Sequence, residues 1–199
     1  MKRFAFLLLA LTLSPTTASA QIVWDAPAMM RPGAPSGLSV LLLEPYPGNE
    51  FGALAIWRQA PAPTGFGLRV GVAEDATDDV AVMFGLDVSG PLADLGGSGD
   101  PRLIWWSGAG VGIGDEIVAS FPAGIVLGWT IESEGVVFAP SIGGHIAMDV
   151  MSGPGDDLDL EGSVDFGMDL GFNSGLAVRF GAAVGGREAL AIGVRLPTN

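Results

Sequence analysis

The chain has 199 residues, of which 31 are glycine and 49% apolar; 16% are charged, against about 25% in an ordinary soluble domain. A formal net charge of −13 makes nucleic acid and anionic headgroups poor partners, and the lack of cysteine excludes a disulfide framework or a thiolate metal site. The length suits one domain.

Residues 1–20 read as a secretory signal peptide. Lys2 and Arg3 form the positive start, Phe4 to Leu13 the apolar run, and Ala18-Ser19-Ala20 the small-residue cleavage pattern. The apolar run is too short to cross a bilayer as a helix, and no later segment reaches the roughly 18 consecutive apolar residues such a helix needs. After cleavage every basic residue is an arginine, and lysine is absent. Gln21 to Ser36, with Pro27, Pro32 and Pro35, reads as an irregular N-terminal lead-in (21–36) to a barrel domain at 37–196.

Ten strands are expected, at 37–44, 51–59, 65–73, 79–88, 102–113, 117–131, 135–149, 158–172, 175–184 and 187–196. The first two alternate poorly. The fourth sets Val80, Val82, Phe84, Leu86 and Val88 against Ala81, Met83, Gly85 and Asp87, and the sixth puts Ile117, Ala119, Phe121, Ala123, Ile125, Leu127, Trp129 and Ile131 on one face. The eighth is the cleanest: Leu158, Leu160, Val164, Phe166, Met168, Leu170 and Phe172 lie on one face, and Asp159, Glu161, Ser163, Asp165 and Asp169 on the other. At roughly 3.3 Å per residue it would run about 50 Å, far beyond an ordinary strand. The ninth and tenth place Arg179 and Arg195 among Gly and Ala on the face opposite the bulky residues.

Three turns test the faces, because a one-residue slip exchanges them. A loop at Asn173-Ser174-Gly175 sets Phe172 opposite Leu176 and Asp169 opposite Arg179. A loop at Gly114-Asp115-Glu116 pairs Ile113 with Ile117. A loop at Ser133-Glu134 pairs Ile131 with Val136 and Trp129 with Phe138. All keep apolar opposite apolar, as an up-and-down meander requires. The expected fold is all-β: an antiparallel up-and-down barrel of eight to ten strands, transmembrane, with bulky residues outward and small residues filling a narrow lumen.

On these alternating segments and the exported start, residues 37–196 resemble the small outer-membrane β-barrel proteins of Gram-negative bacteria. The resemblance implies the bacterial outer membrane as location, membrane lipid as partner, and a structural or interaction role without a bulk pore. The chain departs from that pattern in ending Leu196-Pro197-Thr198-Asn199 without an aromatic residue, and in having Tyr46 as its only tyrosine. An aromatic girdle would have to use Trp57, Trp105, Trp106, Trp129 and phenylalanines. A long connection is expected at 89–101, and Pro122 and Pro140 imply bulges or shortened strands. The alternative is a soluble secreted or periplasmic barrel whose bulky faces line a cavity for an apolar ligand.

Asp157, Asp159, Glu161, Asp165 and Asp169 form the densest polar row. Calcium wants six to eight oxygens in a wrapped loop, and a straight strand spreads its carboxylates too widely, so a lumen network partly neutralised by Arg179 and Arg195 is expected, with Asp169–Arg179 its central pair. His145, the sole histidine, shares the polar face with Ser141 and Asp149. Outer-membrane lipid A deacylases carry a serine two residues from their histidine; Ala147 stands there instead, and one histidine cannot build a multi-histidine zinc site. The glycines from Gly108 to Gly114 open no helix and form no dinucleotide loop. Ser120, Ser141 and Ser163 have no base beside them. The sequence therefore points to no enzyme, metal or cofactor, and to a lumen network of Asp159, Glu161, Asp165, Asp169, Arg179, Arg195 and His145.

Overall fold

The computed structural model describes residues 24–45, 51–59, 64–74, 80–96, 101–152 and 158–197. The expected signal peptide at 1–20, Tyr46, Asp157 and the terminal Thr198-Asn199 lie outside the described residues. The strands are β1 (Gly37–Glu44), β2 (Gly52–Arg58), β3 (Gly65–Glu74), β4 (Val80–Asp94), β5 (Arg102–Ile113), β6 (Ile117–Gly128), β7 (Ile131–Ser133), β8 (Val136–Ser152), β9 (Leu158–Phe172), β10 (Ala177–Gly185) and β11 (Ala189–Pro197).

Neighbours in the chain pair antiparallel, and β1 pairs with β11 from Gly37↔Pro197 to Glu44↔Leu190, which closes the sheet. Closure leaves no edge of unpaired backbone groups. β6 and β7 are one barrel strand interrupted by chemistry. Gly128↔Ser141 and Ile131↔Phe138 share one register against β8, and the Trp129 N–H donates to the Pro140 carbonyl at 3.2 Å. Pro140 has no N–H to return, so the ladder lapses for two residues. Counted so, the molecule is a closed barrel of ten antiparallel strands.

Pro122 acts similarly. The β5–β6 ladder lapses between Ser107↔Ala123 and Gly110↔Ser120 without changing register, and the Ser107 hydroxyl donates to the Pro122 carbonyl at 3.0 Å. Neither proline bulges or shortens its strand as the sequence suggested. The expected connection at 89–101 is also corrected, since β4 continues to Asp94. Gly90-Pro91 reads as a turn, but a shift in register at Leu92, between Pro91↔Ile104 and Ala93↔Leu103, carries the strand past the proline.

The turn at Asn173–Gly175 sets Asp169 opposite Arg179, with Gly175 at φ 82°, and Ile113 pairs with Ile117 as expected. The third turn is corrected. Its two loop residues are Glu134 and Gly135, both at positive φ, so Ser133 pairs with Val136, Ile131 with Phe138, and Trp129 lies opposite Pro140. Paired positive φ angles match the twist of a two-residue hairpin, and glycine takes the second position at no steric cost. The slip is two residues, so the faces are unchanged.

The bulky face points outward. Leu42 is 69% exposed, and Val70, Phe84, Leu86, Ile125, Ile146, Phe166 and Ile192 are all exposed, whereas Arg69, Asp87 and Asp149 are buried inside. β1 and β2 alternate poorly because both their faces are apolar. Leu41, Leu43, Leu54 and Ile56 face inward and are buried.

What they meet inside is the lead-in. Residues 24–36 carry no strand and run through the lumen: Pro32 sits against Gly128 near the rim where Gly37 and Pro197 meet (the terminal rim), and Asp25 reaches His145 and Arg187 toward the opposite rim. Trp24 is wholly buried, its indole pressed on Gly85, Gly108 and Gly110, where a Cβ would overlap the ring; Met29 presses likewise on Gly181. The expectation that the wall's own side chains fill the lumen is thus corrected. Ten strands faced with glycine and alanine enclose more room than their side chains occupy, and the lead-in fills it. Gly85→Val is therefore expected to expel Trp24 and free the lead-in, making residues 24–36 cleavable by added protease where the parent resists, with the barrel's heat-dependent gel shift retained.

Candidate functional site

The polar interior falls into two groups along the barrel axis. Toward the terminal rim, β9 presents Asp169, and three guanidiniums reach it. Arg179 on β10 donates from Nε to Oδ1 at 2.9 Å, Arg195 on β11 stands 3.4 Å from Oδ2, and Arg31 of the lead-in stands 3.3 Å from Oδ2. Arg179 also donates to the Ser39 hydroxyl at 2.9 Å and to the Met29 carbonyl at 2.8 Å, tying β1 and the lead-in to the same centre. Burial lowers the Arg31 pKa from its ordinary value; the Asp169 charge opposes this, while Arg195 and Arg179 add to it.

Beside this group, Asp87 on β4 takes a bidentate pair from Arg58 on β2, both bonds 2.8 Å, and a third bond from Arg69 Nε at 3.2 Å. Arg69 donates onward to the carbonyls of Pro27 and Ala28, and its guanidinium lies 5.7 Å from the Trp24 ring centroid, within cation–π range. Arg58 also donates to the Met30 thioether. Wall cations thus satisfy the carbonyls of a segment that makes no sheet of its own, as buried backbone requires.

Toward the opposite rim the charges reverse. Arg187 is set by its turn: the Gly186 N–H donates to the Gly162 carbonyl at 2.9 Å and the Arg187 N–H to the Ser163 hydroxyl at 2.9 Å. The side chain folds inward to donate to Asp25 and Asp149, with Glu161 3.4 Å from its Nε. His145 on β8 places Nδ1 2.6 Å from Asp165 Oδ2 and Nε2 3.5 Å from Asp25 Oδ2, its ring tilted on Trp106 at 5.4 Å. The other Asp165 oxygen accepts the Ala28 N–H at 2.9 Å.

Of the seven residues singled out from sequence, Asp165, Asp169, Arg179, Arg195 and His145 are buried inside, and Glu161 is half-buried against Arg187. Asp159 stands apart. It is exposed near the opposite rim, with its carboxylate accepting the Leu160 N–H at 2.7 Å, because β9 has reached its end there. Trp106 points inward and is wholly buried, which removes it from any outer girdle. Sequence reasoning missed Asp25, Arg31, Arg58, Arg69, Asp87 and Arg187 as members. For Arg69, Asp87 and Arg187 the signal was present, since each falls on the small-residue face of its strand or on the turn that continues it; Arg58 shares its face of β2 with Leu54 and Ile56, which hid it.

Among the described residues no group of three or more His, Cys, Asp and Glu side chains is arranged to hold a metal ion. No known family model matches the chain, and no curated protein matches it. What the interior can do chemically is hold charge. It fixes the lead-in at both ends through Asp25–Arg187 and Arg31–Asp169, and it buries His145.

Removing Arg187 would strand two fully buried carboxylates, and breaking one partner of a buried pair costs about 3–5 kcal/mol. Arg187→Gln is expected to lose that much in denaturant unfolding. Adding Asp25→Asn should recover part of it, since only Asp149 then stays uncompensated; a double-mutant cycle reads the coupling.

Proposed function

We propose that this protein is an exported outer-membrane β-barrel of a bacterial envelope, with a structural or interaction role and a lumen closed to bulk flow. One observation carries the reading: a closed barrel presents Leu42, Val70, Phe84, Leu86, Ile125, Ile146, Phe166 and Ile192 to its surroundings while its arginine–carboxylate pairs lie inside. Water disfavours such a surface and hydrocarbon accepts it, because a closed sheet has no edge and pairs its strands within the wall.

Aromatic placement supports the same reading. Trp57, Phe66, Trp105, Trp129, Phe138 and Phe172 all lie on the outward face within a few residues of the terminal-rim turns, and Trp57 meets Phe66 edge-on at 6.4 Å. Amphipathic rings gather where hydrocarbon gives way to headgroups. The soluble alternative needs bulky side chains around an open cavity. Here they face outward, and the lead-in fills the inside. A non-catalytic role accords with an enclosed His145 and with Ala147 in place of a nucleophile.

Recovery of the expressed protein in carbonate-washed membranes, with a gel band that shifts only after boiling, is the expected result. A protein that stays in the soluble fraction would overturn the reading. The closed lumen predicts a second outcome: the parent barrel gives no discrete current steps in a planar bilayer, whereas deletion of residues 24–31 does, because Trp24, Met29 and Arg31 no longer occupy the bore.

A further inference from the structure

The two halves of the lumen are not individually neutral. In the terminal-rim half, Arg31, Arg58, Arg69, Arg179 and Arg195 have only Asp87 and Asp169 as charged partners among the described residues. The two groups adjoin, since Arg58 reaches Met30, Arg179 reaches Met29, and Arg31 follows both. The remaining acceptors are the Pro27, Ala28 and Met29 carbonyls, the Ser39 hydroxyl and the Met30 thioether, none of which carries charge. The excess carboxylates, Asp25, Asp149, Asp165 and Glu161, sit in the other half around Arg187 and His145.

A second observation marks the basic half. The Nε atoms of Arg58 and Arg195 are enclosed and face neither a hydrogen-bond partner nor a carboxylate, whereas Arg31 Nε faces Asp169 at 3.3 Å and Arg187 Nε, in the other half, faces Glu161 at 3.4 Å. The side chains of Arg31, Arg58 and Arg195 are only 8%, 10% and 9% exposed. Buried charge is ordinarily paired, and an enclosed donor left unmatched is costly. The slight exposure of these three, against none for Arg69, places them next to the terminal-rim opening. Guanidinium forks match the oxygens of a tetrahedral anion better than any other side chain.

We propose that Arg31, Arg58, Arg179 and Arg195 form a site for a multivalent oxyanion of the phosphate class, entering from the terminal rim. The ligand supplies the missing negative charge and accepts from the unmatched Nε donors of Arg58 and Arg195. The site does not depend on what surrounds the barrel's outer face, so it stands or falls separately from the membrane assignment.

The test uses the full mature chain in dodecyl maltoside, a phosphate-free detergent, with unfolding followed by the loss of the compact gel band on heating. Inorganic phosphate at saturation should raise the midpoint by about 5 °C over chloride at matched ionic strength, the size expected when ligand far exceeds its Kd. Arg195→Gln should abolish the increment. Arg31→Gln should reduce it as well, and because that residue lies in the lead-in, the wall is left intact if the first variant folds poorly. A response to micelles doped with phosphatidic acid but not to free phosphate, lost in Arg31→Gln, would assign the same site to a lipid headgroup. Equal midpoints in phosphate, phosphatidic acid and chloride, or an increment unchanged in both variants, would overturn the proposal.

Discussion

Closing ten strands into one sheet satisfies the backbone but creates an interior that this wall cannot fill. Inward positions are glycine at 85, 108, 110 and 181, alanine at 81, 147, 177 and 191, and charged residues that need partners. Empty volume inside a protein forfeits the dispersion contacts of its lining. The remedy is local to the chain: thirteen residues before β1 turn back into the barrel and supply an indole, two thioethers, a carboxylate and a guanidinium where the wall has gaps. Most other features follow. The glycines are where they are because an indole and a thioether lie against them, and Arg69 and Arg179 reach lead-in carbonyls with the guanidinium donors that Asp87, Asp169 and Ser39 leave over.

The same constraint explains why the wall's two sides differ. β1 to β4 turn Leu41, Leu43, Leu54, Ile56, Ala73 and Met83 toward Trp24, Ala26 and Met29. β8 to β11 turn charge inward along their length as His145, Asp149, Asp165, Asp169, Arg179 and Arg195, whereas in β1 to β4 inward charge is confined to Arg58, Arg69 and Asp87 toward the terminal rim. Burying an ion pair rarely adds much stability in itself. Here the pairs select a position, since Asp25 and Arg31 have oppositely charged partners in different halves, and sliding the segment along the bore would break both at once.

That logic also sets what could be read from the sequence. β9 was legible to the residue because one face is bulky throughout and the other polar throughout, and its turn with β10 carries a glycine where a positive φ is required. β1 was obscure for a physical reason: Leu41, Leu42 and Leu43 are all apolar, the middle one for the outside and its neighbours for the lead-in. The β7–β8 turn was misplaced by one residue, a register slip of two, because Ser133-Glu134 and Glu134-Gly135 preserve the same faces, and only backbone conformation distinguishes them. Arg58, Arg69, Asp87 and Arg187 were not singled out, whereas Asp165, Asp169, Arg179, Arg195 and His145 followed from parity. The lead-in did not, because its partners are remote: Asp25 meets Arg187 across 162 residues, and no local period announces a segment that pairs with side chains instead of strands.

Threading the lead-in leaves the lumen electrically polarised, with carboxylates in excess toward one rim and guanidiniums toward the other. A soluble core would gain little from such separation, since opposite charges attract most when adjacent. In a bore the separation has a consequence that adjacency would lack. The wall alone offers Arg58, Arg69, Arg179, Arg187 and Arg195 against Asp87, Asp149, Asp165, Asp169 and Glu161, a balanced set arranged as a gradient, and the lead-in steepens it by adding Arg31 to the guanidinium-rich half and Asp25 to the carboxylate-rich one. The segment therefore occupies the bore without erasing its field, and a small ion inside the terminal-rim half meets guanidiniums in excess.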